Sequence, residues 1–339
     1  MTKDEWDEAD ETKELFLREV IHPLLPNARY SFTVHNGDYN NPASTFHGTL
    51  STSDLLRNSP YEWKKKRLIH FTTLQGLTSI IKSGFFRMTE FNSLNDKEEL
   101  SYASMVFNDN AIFRLNEPLL KKTKSALYCF SACESNAKTL KDTFMWENYA
   151  SKGKGVVIEF SINEKNPHSF AIGKVKYGKG ELEALELLKN RAIKFHREHN
   201  LFPHNPIELF SLFKSFHKSM RYKNEQEIRI LFSPNGFGQT SRSYPSVYQD
   251  INSENEMTTF NRIYLKGHAP FKERNTAIFP EIKIHKVILG YGISIENKLE
   301  IAQHLRALKS TDLKFDVYHI DNDLNIINFT KLADLNRHQ

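Results

Sequence analysis

Polar and apolar positions alternate most clearly between Arg221 and Phe232, RYKNEQEIRILF. Read as a strand, the stretch puts Gln226, Ile228, Ile230 and Phe232 on one face. Glu225, Glu227, Arg229 and Leu231 take the other. The first face suits a core. The second carries two carboxylates about 7 Å apart, at a rise of about 3.3 Å per residue, followed by a guanidinium. Such a face is costly to bury. It suits the wet side of an edge strand or the wall of a cleft.

The rest of the pattern mixes both periods. A short strand, Leu68 to Thr73, leads into a helix over Gln75 to Ser83, with Thr73 as N-cap and Gly84 as the stop. Phe85 to Phe91 reads as a second strand and Asn92 to Asp96 as a polar turn. ALYCFSAC, from Ala126 to Cys133, is a buried-looking strand. A helix over Lys141 to Ala150 follows, and then the β-branched strand Gly155 to Ile162. Charged helices are expected over Glu181 to Glu198 and Ile207 to Met220, with further strands near Arg262, Ile284 and Lys314. The uneven interruption of strands by helices predicts an α+β fold with a central mixed or split β-sheet and flanking helices. Residues 1–60 read as an N-terminal extension that packs on the core, and 61–330 as one α+β domain. Ser233 to Glu256 is rich in Gly, Ser, Pro and Asn, and reads as a long loop serving as a lid or partner contact.

Composition narrows this picture modestly. The 339 residues include 25 Phe and 13 Tyr, enough aromatic mass for a folded chain. A net charge of +5 permits a nucleic-acid or phosphate-bearing partner without requiring one. The two cysteines, Cys129 and Cys133, read as reduced thiols of a cytoplasmic protein. No apolar run approaches the roughly 18 residues of a membrane span, and the acidic N-terminus has no signal-peptide core.

Several residues could carry chemistry. His70 sits mid-strand, with Thr72 on its face, and could bond a polar small molecule. Asp96 could bind a ribose or a cation, or simply form a turn. Trp146 and Tyr149, three apart on a helix, could flank a flat ring or belong to the core. Lys152 to Gly155, KGKG, fits a turn better than a phosphate cradle. His196 and His199 have no matched third ligand, and no zinc spacing is present, so no metal is expected. There is no P-loop, dinucleotide fingerprint or nucleophile elbow.

Six stretches in order are similar to a bacterial family, the domain of unknown function 2971. They are IHFTTLQGLTSIIKSGFFRMT, NSLND, LYCFSAC, MWENYASKGKGVVIEF, KNEQEIRILF and HKVILGYGI, covering roughly residues 66 to 295. That family in turn resembles ADP-ribosyltransferases. The resemblance implies an ADP-ribosyltransferase-like core, NAD as substrate, and transfer of ADP-ribose to a protein or nucleic-acid acceptor, in a toxin or phage-defence setting. It assigns catalysis to Glu227, Glu225 and His70. NAD contacts fall to His70, Thr72, Phe86, Ser131 and Arg229, the last keeping the acids ionised or gripping pyrophosphate. The chain departs from the pattern in having Phe71 after the histidine where Gly is frequent, and in lacking an evident stacking tyrosine. Two other readings stay open: a non-catalytic ligand- or nucleic-acid-binding module, and a metal-dependent nuclease using Asp96, Glu225 and Glu227.

Overall fold

The computed structural model describes residues 11–34, 46–51, 55–64, 67–94, 98, 100–107, 117–163, 170–199, 206–233, 248–251, 257–268, 280–307 and 313–328. Strands β1 (Arg29–Val34) and β2 (Phe46–Ser51) pair antiparallel as a separate small sheet. The main sheet begins with β3 (Leu68–Thr72), β4 (Phe85–Glu90), β5 (Tyr128–Glu134), β6 (Val156–Asn163) and β7 (Phe170–Lys174). β8 (Lys176–Tyr177) and β9 (His217–Lys218) form a short parallel pair of their own. β10 (Glu227–Phe232), β11 (Tyr248–Ile251), β12 (Met257–Tyr264), β13 (Glu281–Leu289), β14 (Asp316–Ile320) and β15 (Ile326–Asn328) complete the main sheet. Its pairings are antiparallel except β13 with β14, so the sheet is mixed and the fold α+β, as the pattern predicts.

β5 is the hub. One edge pairs with β10 along its whole length, from Glu227 opposite Cys133 to Phe232 opposite Tyr128. The other edge is divided. β4 takes Tyr128 and Cys129, whereas β3 takes Cys133 and Glu134. The sheet therefore splits into two wings beside Phe130, Ser131 and Ala132. The wings touch again where Leu265 bridges Ile282. Phe86, Phe130, Phe160, Ile230 and Ile263 pack together in the core that the two wings share. The helix Leu74–Ser83 joins β3 to β4 and adds Leu77 and Ile81 to that core. Its ends follow the sequence: Thr73 accepts from the Gly76 N–H, and Gly84 takes a left-handed φ of 74°.

A second core lies on another part of the sheet. Phe16, Leu17, Val20, Ile21 and Leu25 pack with Leu185, Leu188 and Phe195 of the helix Glu183–His199, and with Cys129 and Leu231. The third centres on Trp146 of the helix Thr143–Tyr149, against Ile69, Phe71, Val157 and Ile288.

Two expectations need correction here. β10 is a central strand, paired on both edges, and all six of its residues are buried. It is not an edge strand with a wet face. Glu225 also lies outside it, at the end of a 3-10 turn over Met220–Glu225, and Gln226 then takes a left-handed φ of 44°. The two acids converge because the chain turns between them, not by alternation along a strand. Gln226, placed on the core face by the pattern, is exposed. Within the expected loop 233–256, residues Tyr248–Ile251 form β11 against β12, while 234–247 and 252–256 lie outside the described residues.

Candidate functional site

A cavity of about 340 Å³ opens at the split beside β5. His70, Ser131, Glu225 and Glu227 all line it, together with Lys218 and Tyr149. Ile69, Phe71, Leu94 and Met145 give it an apolar wall. Each polar group arrives on a different support. His70 comes from β3, Ser131 from β5, Glu227 from the first position of β10, Glu225 from the preceding turn and Lys218 from β9. Tyr149 ends the helix Thr143–Tyr149, whose first turn is capped by Asp142.

Glu227 is surrounded by donors. Its Oε1 accepts from the Ser131 hydroxyl and from Arg229 Nε at 2.8 Å. Its Oε2 accepts from Arg229 Nη2 at 3.2 Å and lies 2.9 Å from Lys218 Nζ. Its backbone N–H donates to the Tyr177 hydroxyl at 2.8 Å. Burial alone would raise this carboxyl, but the Arg229 and Lys218 charges and the Arg229 and Ser131 hydrogen bonds outweigh it and hold the group down at about 2. Glu225 accepts from the Tyr149 hydroxyl at 2.6 Å and from Lys218 Nζ at 2.8 Å. The Cys133 thiol donates to the Glu225 carbonyl at 3.1 Å. Burial, and then Glu227 and Glu225, push that thiol upward, so it stays protonated. Burial and the bond to Glu225 likewise keep Tyr149 a neutral phenol.

His70 is half-buried, its ring against Phe130 at 4.8 Å and Phe86 at 6.0 Å. Burial pushes its pKa down to about 4, so it is neutral at pH 7. Nδ1 lies 3.1 Å from the Ser131 carbonyl, which can only accept. The proton therefore sits on Nδ1, and Nε2 is an acceptor.

The structure thus brings His70, Ser131, Glu225 and Glu227 to one cavity and leaves three expected contacts out of it. Phe86 is 1 % exposed and belongs to the core between the wings, because it points to the face opposite Arg87. Thr72 pairs with Val156 at the far end of β3 and does not line the cavity. Arg229 is buried and bonded to Glu227 and the Ser215 carbonyl, so it holds an acid and does not grip a ligand. Asp96 lies outside the described residues. Trp146 is core, bonded through Nε1 to the Leu140 carbonyl, and its neighbour Tyr149 alone faces the cavity. Residues 152–155 form a turn. His199 meets Glu19 and Glu198 at the surface, and His196 is not part of that group.

Sequence reasoning missed Lys218, which touches both acids. The pattern places it in the expected helix Ile207 to Met220, but that helix ends at Lys214 and Lys218 lies on a two-residue strand. Tyr177, on the two-residue strand β8, and Tyr222, in the 3-10 turn over Met220–Glu225, were missed as well, since neither short element carries a period.

Fold and site together define an α+β protein whose mixed sheet splits around a cavity walled by two buried, charge-compensated carboxylates. Residues 145–230 match the family described as protein of unknown function (DUF2971), the one to which the ordered motifs point. Comparison with curated proteins and with solved structures gave no match. Among the described residues, no helix is long and apolar enough to cross a membrane.

Proposed function

We propose that the cavity is the active site of an ADP-ribosyltransferase-like enzyme. It would cleave NAD and pass ADP-ribose to a macromolecular acceptor, a protein or nucleic acid, in the cytoplasm. One observation carries the reading. His70, Ser131, Glu225 and Glu227, drawn from segments up to 157 positions apart, line a single cavity. These are four of the residues that the resemblance to transferases singles out. The toxin or phage-defence setting rests on that resemblance alone.

The chemistry follows from the charges. Leaving nicotinamide takes the glycosidic electron pair and the ribosyl carbon becomes cationic. Glu227, ionised and immobilised, stabilises that cation through space. The acceptor's nucleophile then bonds to the ribosyl carbon and gives its proton to Glu225. The Nε2 of His70 accepts from a substrate hydroxyl. The apolar wall takes the flat ring of nicotinamide, beside the Tyr149 and Tyr222 side chains.

The donor count at Glu227 favours a second reading, a non-catalytic ligand- or nucleic-acid-binding module. Ser131, Lys218 and two Arg229 nitrogens already occupy both of its oxygens. Incubation with NAD labelled in its adenylate half, plus protein, RNA or DNA, separates the two. The enzyme reading expects nicotinamide release and label transfer. It also expects Glu225→Gln to reduce transfer more than hydrolysis. If the parent chain neither binds nor consumes NAD, the binding module stands.

A further inference from the structure

Two carboxylates that share a cavity wall repel, and such a pair left to itself retains a proton. A single ammonium joins Glu225 to Glu227. Lys218 Nζ lies 2.8 Å from Glu225 Oε2 and 2.9 Å from Glu227 Oε2. The Lys218 side chain is 9 % exposed, so both contacts are made largely out of water. Its stem is fixed on β9, which pairs with β8. Tyr177, on β8, accepts from the Glu227 N–H. The other titratable groups facing the pair are Arg229, bonded to Glu227, the uncharged Tyr149, Tyr177, Cys133 and His70, and Tyr222, whose ring centroid lies 5.0 Å from Lys218 Nζ.

We propose that Lys218 is the positioning residue of this site, a clamp that holds Glu225 and Glu227 at a fixed separation with both ionised. As a statement about catalysis, this rests on the transferase reading. As a statement about charge it does not, and its test reads folding instead of turnover.

The test uses the full chain. Melting temperature is followed from pH 4 to 8 for the parent, Lys218→Met, Lys218→Arg and the double variant Lys218→Met with Glu225→Gln. Without the ammonium, one acid retains a proton, and its folded pKa rises above the unfolded value of about 4.3. Stability from such a group is present below that value and is lost as pH rises through the folded pKa. The Lys218→Met deficit is therefore small near pH 4 and grows to the order of 10 °C by pH 7. Removing the second charge in the double variant recovers at least half of it, and Lys218→Arg keeps most of the parent's stability. A deficit equal at every pH, with no recovery in the double variant, overturns the clamp and leaves Lys218 a space-filling residue. Failure of both Lys218→Met and the double variant to fold also overturns it, because relief of repulsion must restore folding. Absence of NAD turnover in the parent chain, with these melting results intact, would count against the transferase reading alone.

Discussion

Glu227 shows what a single residue costs and gives here. It is 3 % exposed, and its charge survives only because its neighbours compensate it. Its folded pKa, about 2, lies below the ordinary 4.5. The stability it contributes is thus present above pH 4.5 and lost as pH falls toward 2, by roughly 3 kcal/mol in all. Acid titration of unfolding free energy should show that loss, and a Glu227→Gln variant should lack it. The same burial means Glu227→Gln lowers stability as well as any turnover, so Glu225→Gln is the cleaner probe of chemistry. Arg229→Lys should cost about 3 kcal/mol in denaturant unfolding, since an ammonium cannot bond both Glu227 oxygens and the Ser215 carbonyl together. Equal stability of that variant would mean the guanidinium geometry is immaterial. The acids, His70 and Ser131 were legible in sequence because their motifs are ordered. Lys218 was not, because charge pairing between Lys218 and Glu227 leaves no period to read. Phe86 misled because the strand pattern alone does not say which of its faces meets the core, and burial does.

The element that aims Tyr149 is the helix Thr143–Tyr149, and its end is fixed by interlocked turns. Ser151, Lys152 and Gly153 all have positive φ. Gly290 donates to the Gly155 carbonyl and Gly292 to the Gly153 carbonyl, each at 2.9 Å. A Cβ at Gly290 would collide with the backbone carbonyl of Gly153. Gly290→Ala should therefore destabilise by about 3 kcal/mol. Gly180→Ala, whose methyl would meet nothing within 4 Å, should shift stability by less than about 0.5 kcal/mol. Parallel melts of the two variants check this, and similar values would refute the interlock. The turn after the helix was legible from KGKG. That the two turns grip each other was not, since the contact joins segments over 130 positions apart.

At the scale of the whole molecule, the N-terminal segment is part of a core. Phe16, Leu17, Val20, Ile21, Leu24 and Leu25 are all buried against the helix Glu183–His199 and its neighbours. Burial of six such side chains is worth on the order of 10 kcal/mol, comparable to the entire stability of a typical domain. A chain lacking residues 1–28 should thus lose cooperative unfolding, and a sharp calorimetric transition in it would contradict this packing. The α+β class and the mixed sheet were legible from the spacing of strands and helices. The division of β5 between β3 and β4, and the return contact of Leu265 with Ile282, were not, because pairing partners so distant leave no local trace.

The shared strand β5 has a consequence for how the protein is made. Ser131 leaves the ribosome 96 positions before the glutamate that it will bond. At about 5–20 residues per second, that interval lasts roughly 5–20 s. Until β10 is synthesised, one edge of β5 lacks its mate, and until Lys218 to Glu227 have been added the cavity has neither clamp nor acids. A nascent chain that ends before them carries His70, Ser131 and Tyr149 but neither carboxylate. Whatever this cavity does to other molecules, it begins only once most of the polypeptide has been translated.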